Sequence, residues 1–271
     1  MHTWRFRMTI NNRFTDIEQT LSVNAKVIKP DQTVAVRAAS LIREHSIEVS
    51  INEEPVMRLV CTPNKLAELV LGRAVTEGFI KSRDDVESLY ICESGNRARL
   101  YLKQAAVLIG KETEPQADPT CCTDNRILGN YTVREPQAFG HAAYTNEHIF
   151  ALIGKFSENA SLHRKTMGTH SCYLSCNGEY QGVFEDIGRH NALDKAVGYA
   201  LMNGFAFENC ILFTTGRVPV DMVRKAVMAG IPILVSKAVP TAEAVEMAKR
   251  YHLTLICRAW PDSYEVFNET E

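Results

Sequence analysis

No stretch of this chain approaches the roughly 18 uninterrupted apolar residues that a membrane helix needs, so a spanning role is not expected. Charge of one sign is scarce too: 30 Lys and Arg against 32 Asp and Glu leave a net charge of -2. No global basic field therefore argues for nucleic acid, and any anion site must be local. The sequence contains no internal repeat and no low-complexity tract. The opening stretch "MHTWRFRMTINNRF" has charges and Asn where a secretion signal has a continuous apolar core, so the cytoplasm is the expected location. The eight cysteines follow no disulfide framework. In a reducing compartment they are expected to be mostly buried thiols. The tandem pair Cys121–Cys122 is the exception to weigh.

With 271 residues and 45% hydrophobic content, one large domain, or one large and one small, is expected. Residues 1–25 read as an arm without clear periodicity, 26–140 as an α+β portion, and 141–271 as an α/β domain. "SIEVSINEEPVMRLVC" alternates apolar and polar residues around Asn52-Glu53-Glu54-Pro55, which predicts a hairpin. "TPNKLAELVLGRAVTEGFI" is helical, with Thr62 or Asn64 as cap, Leu66, Leu69, Val70 and Ala74 on one face, and Gly78 as the stop. Gly95-Asn96 and Asn177-Gly178 mark two further hairpins. A helix over about 146–158 precedes the second of these. Beyond residue 190, short apolar runs alternate with helical segments, which means βαβ units and a largely parallel sheet covered on both faces. The polar, proline-bearing stretch 111–136 has no period, and a segment of that kind in a compact domain is usually functional or disordered.

In open α/β sheets, ligands bind beyond the carboxyl ends of strands, where helix N-termini offer free N–H groups. Three segments are expected there. Thr214-Thr215-Gly216-Arg217 ends a strand just before a helix: the glycine admits close backbone approach, the threonines can donate hydroxyls, and Arg217 can fork a phosphate. Ser236-Lys237 holds the equivalent place one βα unit later. The third is Glu185, Asp186, Gly188, Arg189 and His190, followed by Asn191 as a natural N-cap with Asp194 three positions on. Each has a plainer reading. Asn191 and Asp194 can serve only the helix start, Asp186 and Arg189 can form a structural ion pair, and Arg217 can sit in a surface pair. Together they suggest an anion site for a phosphorylated ligand.

A metal is not expected. Cys172 and Cys176 share a strand face about 13 Å apart at roughly 3.3 Å per residue, too far for one zinc ion. "THSC" and "PTCCTD" also lack the H-x-E and P-C-x-x-C of zinc deaminases. Cys121 and Cys122 lie in a polar segment poorly suited to a core. A thiolate there can attack a sulfur donor and carry a persulfide, or the pair can be incidental. Neighbouring Asp118 and Asp124 would raise a thiol pKa and Arg126 would lower it.

The strings "EDIGRHNALDKAVG", "TTGR", "AGIPILVSKAVPTAEAVEMA" and "LTL" fall in an order that resembles the FdhD family, the formate dehydrogenase accessory sulfurtransferases. "EEPVMRLVCTPNKLAELVLGRAVTEGFI" resembles its N-terminal portion, so the similarity runs from about residue 45 to 268. The resemblance implies a cytidine-deaminase-like three-layer α/β domain without zinc chemistry, plus a smaller N-terminal α+β part. It also implies relay of persulfide sulfur from a cysteine desulfurase to the molybdenum bis(guanine dinucleotide) cofactor of formate dehydrogenase. The implied roles are Cys121 as persulfide carrier, Cys122 as a substitute or resolving thiol, a GDP-like ligand at the strand ends, and a homodimer. The family's C-x-x-C reads Cys121-Cys122-Thr123-Asp124 here, so its second cysteine is replaced by Asp124. Its T-G-G-x-H reads Thr166-Met167-Gly168-Thr169-His170, which adds His170 to the candidates. Arg258 and Trp260 join them as an arginine and an aromatic following a strand. The alternative is a non-catalytic chaperone that holds the cofactor for insertion.

Overall fold

A computed structural model of the chain describes residues 8–103, 116–117, 124–129, 131, 133–140, 142–156 and 160–269. Cys121 and Cys122, on which the expected sulfur chemistry falls, lie outside the described residues. The first half builds strands β1 (Thr9–Asn12), β2 (Thr20–Ile28), β3 (Val34–Ile42), β4 (His45–Ile51) and β5 (Glu54–Cys61), then helix α1 (Leu66–Thr76). Strands β6 (Val86–Ile91), β7 (Arg97–Leu102), β8 (Gln116–Ala117) and β9 (Arg126–Ile127) follow. One sheet runs β1-β6-β7-β4-β5-β9-β8, while β2 and β3 form a separate two-stranded sheet among the described residues. The expected hairpin is formed by β4 and β5, with Asn52 and Glu53 both at positive φ. Residues expected to form an arm include β1, which joins the sheet, and Phe14, which enters the core.

The second half contains α2 (Asn146–Gly154), α3 (Ser161–Thr166), β10 (His170–Cys176), β11 (Glu179–Asp186) and α4 (Arg189–Asn203). It continues with β12 (Cys210–Thr214), α5 (Val220–Ala229), β13 (Ile233–Ser236), α6 (Ala242–Tyr251), β14 (Thr254–Cys257) and β15 (Glu265–Asn268). The sheet order is β11-β10-β12-β13-β14-β15. The βα repeat makes β12, β13 and β14 parallel. The strands outside them are antiparallel, and for β10 and β11 the tight Asn177-Gly178 turn allows nothing else.

Strand alternation divides this sheet's side chains. Cys172, Leu174, Leu212, Leu234 and Leu255 belong to a core shared with α1, α4, α5 and the first sheet. Tyr173, Ile211, Phe213, Val235 and Ile256 pack with Ile149, Leu152 and Ile153 of α2. The layers are therefore sheet, helices, sheet, helix, and one core spans both halves of the chain.

Helix α1 lies in the middle of these layers. A single apolar face was the expectation, yet every residue from Leu66 to Thr76 except Glu68 is buried, because sheet and α4 cover opposite sides. Gly72 and Gly198 permit the crossing with α4. A Cβ on Gly72 would sit 1.7 Å from the Asp194 carbonyl oxygen, and one on Gly198 would sit 1.8 Å from that of Glu68.

Two sets of buried charges flank the crossing. Asp194 takes Thr76 Oγ1 at 2.7 Å, Lys225 Nζ at 3.1 Å and Arg73 Nη1 at 3.5 Å. Glu77 completes this set, with Arg73 Nε at 3.1 Å and Lys225 Nζ at 3.2 Å. In the second set Lys195 Nζ meets Asp186 Oδ2, Thr62 Oγ1 and Asn64 Oδ1, each at 2.7 Å. Thr62 and Asn64, the expected caps of α1, are spent on this lysine, and Lys65 occupies the cap position instead.

Burial pushes the Glu77 carboxyl up, but Arg73 and Lys225, with Arg224, outweigh it and bring its pKa from 4.5 down to about 2. A depressed folded-state pKa contributes stability that is complete above 4.5 and lost as pH falls toward 2. Glu77→Gln is therefore expected to remove on the order of 3 kcal/mol of acid-dependent stability. Urea unfolding of both proteins at a series of pH values across that window checks it.

The expectation of free thiols fails at one pair. Cys176 and Cys210 stand opposite each other in the β10–β12 ladder and are joined as a disulfide. Their 34-residue separation hides that register in the sequence. Cys61, Cys172 and Cys257 are buried thiols, with pKa values raised by burial. For half-buried Cys92, burial is outweighed by the Ser94 hydroxyl and the backbone N–H groups of Arg97, Asn96 and Gly95, and its pKa is lowered.

Candidate functional site

The parallel strands β12, β13 and β14 end together, and the predicted segments meet at that end. Thr214 closes β12, Ser236 closes β13, and Arg258 to Trp260 follow β14. Because β10 runs antiparallel to β12, its first residue, His170, arrives at the same end, opposite Asp186 at the end of β11. Helices α4 and α5 begin there, with Arg189 and His190 in the first turn of α4.

Many of the expected ligand groups instead build the loops. Thr214 Oγ1 accepts from Gly216 N at 3.2 Å, Thr215 Oγ1 from Ser171 N at 3.1 Å, and Ser236 Oγ donates to Gly216 O at 2.8 Å. These bonds hold Gly216 so close to α4 that a Cβ there would lie 3.0 Å from Arg189 Cδ and 3.5 Å from His170 Nδ1. Only glycine fits without moving its neighbours.

The acidic residues turn inward. Glu185 accepts from Leu162 N at 3.0 Å and His163 N at 2.7 Å, anchoring the start of α3. Asp186 is fully buried, and its Oδ1 accepts from Gly188 N at 3.0 Å, ahead of the first turn of α4. Its ion-pair partner is Lys195, at 2.7 Å. The expected division of labour is thus reversed. Asp186 serves the helix start, with Gly188 as N-cap, whereas Asn191 and Asp194 are buried in the interior networks. The sequence cue misleads because the partners of Asn191 and Asp194 come from distant segments.

His190 is also buried, with Nε2 2.7 Å from Asp221 Oδ2. Asp221, at the second residue of α5, is a site neighbour that sequence reasoning missed, because its partner His190 lies on a different helix. Burial raises the Asp221 carboxyl, but the hydrogen bond and charge of His190 and the charge of Arg189 bring it below the usual range. His170 is half-buried, and burial, with the positive charges of Arg189, His163 and His190, lowers its pKa.

Arg217 and Trp260 are exposed. Lys237 lies between two rings, its Nζ 4.1 Å from the centre of Phe156 and 4.6 Å from that of Trp260, with its pKa lowered by burial. Phe156 is a second residue the sequence did not single out. Arg258 pairs with Glu265 at 2.9 Å on the surface. Asp124, standing where the family's second cysteine would be, pairs with Arg126 at 2.7 Å on the surface. Among the described residues no group of three His, Cys, Asp or Glu side chains could hold a metal ion. A cavity of about 880 Å³ lies at the other end of α4 and α5, near Gly204 and Gly230, and is separate from this site.

The class these features define is a layered α/β protein whose parallel strand ends carry clustered Arg, Lys and His side chains. Residues 42–271 match the model of the FdhD/NarQ family, and the chain belongs to that family. A sulfur carrier protein FdhD of Listeria monocytogenes is 27% identical over 237 residues, covering 86% of this chain and 91% of that protein. Its counterpart in Halalkalibacterium halodurans is 31% identical, covering 83% and 84%. A crystal structure of a formate dehydrogenase accessory protein from Desulfotalea psychrophila superposes with a TM-score of 0.73 at 25% identity, covering 93% of this chain and 97% of that one. No helix among the described residues is long and apolar enough to cross a membrane.

Proposed function

We propose that the protein is a sulfurtransferase that accepts sulfur on Cys121 from a cysteine desulfurase. It then passes that sulfur to the molybdenum bis(guanine dinucleotide) cofactor destined for formate dehydrogenase. The observation that carries the reading is the strand-end cluster around Gly216. It combines the close approach of the Gly216 backbone to Arg189, the exposed guanidinium of Arg217, and Lys237 beside the Trp260 ring. Such a surface suits a phosphate-rich cargo with stacking bases. The same reading includes the formate dehydrogenase apoprotein as recipient and a second copy of the chain as companion.

In the loading step the Cys121 sulfur attacks the terminal sulfur of the donor's persulfide. A new S–S bond forms, the donor's S–S bond breaks, and the donor cysteine leaves with the bond pair and takes up the thiol proton. No net oxidation occurs. In delivery the terminal sulfur leaves, and Cys121 keeps the bond pair as a thiolate. The cargo's reduced molybdenum supplies the two electrons that make the sulfur a sulfide. His170, whose pKa is lowered by burial and surrounding positive charge, is better exposed than His190 to relay the loading-step proton from the Cys121 thiol to the departing donor thiolate.

The reach is short. Cys121 precedes Asn125 by four residues, so their Cα atoms lie within about 14 Å of each other at roughly 3.6 Å per residue. Incubation with a cysteine desulfurase and radiolabelled cysteine is expected to label the chain, and Cys121→Ala to lose the label. The comparison belongs in a Cys92→Ser background, since the lowered pKa of Cys92 makes it a competing acceptor. Label that persists in Cys121→Ala overturns the assignment. Asp124 at the second cysteine position supports the alternative, a chaperone that binds the cofactor without carrying sulfur. That reading stands instead if Cys121→Ala/Cys122→Ala still restores formate dehydrogenase activity to a deletion strain.

A further inference from the structure

We propose that Asn125 is a positioning residue that ties the segment following Cys121 and Cys122 to helix α4, and so directs delivery toward the strand-end site. The proposal rests on the sulfur-carrier reading. Within residues 124–129, Asn125 alone is buried, at 1% exposure. Both ends of its amide are engaged. Oδ1 accepts from Val60 N at 2.8 Å, and Nδ2 donates to Asn191 Oδ1 at 2.8 Å. Asn191 Nδ2 in turn reaches Val60 O at 2.8 Å and Asp186 Oδ1 at 2.9 Å. The same Asp186 oxygen accepts from Gly188 N, one residue before Arg189.

A continuous hydrogen-bonded path therefore runs from Asn125 to Gly188, the residue before Arg189, which packs on Gly216. Simple attachment to the sheet does not need it. Strand β9 already pairs with β5 at Met57 and Arg58, through backbone bonds that leave α4 untouched. A buried amide is costly unless fully satisfied, and a leucine would fill the same space without that demand. The amide adds direction, since its donor side fits only the Asn191 acceptor on α4. It fixes the chain four residues after Cys121 against the first turn of α4.

The test separates loading from delivery. Full-length wild type, Asn125→Ala and Asn125→Asp, all in the Cys92→Ser background, are loaded by a desulfurase with labelled sulfur. They are then mixed with formate dehydrogenase apoprotein and cofactor. Asn125→Asp keeps the acceptor for Val60 N but replaces the donor to Asn191 with a charged acceptor, so the two variants strain the fold differently and either one that folds carries the test. Loading and affinity for GDP are expected to match wild type, while the rate of formate dehydrogenase activation falls about tenfold in both variants. A merely structural role would lower loading, GDP affinity and activation together, and that result overturns the proposal. Activation at the wild-type rate in a folded variant also overturns it. Wild type that takes up no label refutes the sulfur-carrier reading, and this role with it. Label on wild type with undiminished delivery by the variants refutes this role alone.

Discussion

Lys195→Met is expected to destabilise the protein by about 3–5 kcal/mol, the usual penalty for removing one partner of a buried ion pair. Lys195 and Asp186 are both fully buried, 2.7 Å apart. Without the ammonium, the Asp186 carboxylate keeps Thr62 N and Oγ1, at 3.1 and 3.0 Å, but loses its counter-charge. Thr62 and Asn64 lose a donor at the same time. Asp186→Asn/Lys195→Met removes both charges and is expected to recover a substantial part of the loss, since the penalty lies in the orphaned charge. Urea unfolding followed by circular dichroism measures all three proteins. A loss under 1 kcal/mol in the single variant would mean that Asp186 is easily neutralised and that the pair contributes little.

Gly198→Ala is the second large effect, expected to exceed about 3 kcal/mol, above the ordinary range for overpacking. The added methyl would lie 1.8 Å from a backbone oxygen of α1, which cannot rotate away as a side chain can. The helices must separate, and with them the charges of Asp194, Arg73 and Lys225 that bridge the crossing. Gly154→Ala is the control: it lies at the end of α2 with no atom within 4 Å of its added Cβ. There the higher helix propensity of alanine is expected to leave stability unchanged or raise it by up to about 1 kcal/mol. Thermal unfolding of both variants side by side separates close packing from propensity; equal effects would remove the crossing as the cause.

The strand-end placement of the candidate segments was legible in the sequence because its signals are local. A short apolar run followed by a helical period puts Thr214 to Arg217 and Ser236 to Lys237 beyond strand ends, and the structure brings both there with Arg189 and His170. The inner roles were hidden because they depend on pairings across the chain. Asn191 looks like a cap, yet Asn125, 66 residues away, is among its partners. Thr62 and Asn64 also look like caps, yet they serve a lysine more than 130 positions later. The β2–β3 hairpin escaped notice for a different reason. It buries little, with Leu21, Ile28, Val34, Val36 and Leu41 exposed, so no core imposes a polar alternation on it. Cys176 and Cys210 become partners only once β10 and β12 are known to be neighbours.

The burial of α1 on all sides has a consequence for biosynthesis. On the ribosome, Thr76 emerges 127 residues before Asn203, the last residue of its partner helix α4. At about 5–20 residues per second, that interval lasts roughly 6–25 s. Throughout it the nascent chain carries an apolar helix whose second face lacks its complete cover, together with Arg73 and Glu77, whose companion Asp194 arrives near its end and Lys225 only after it. The N-terminal half is thus the stretch of this polypeptide that most needs a holding chaperone, and pauses in translation before residue 203 prolong its period of greatest exposure to aggregation.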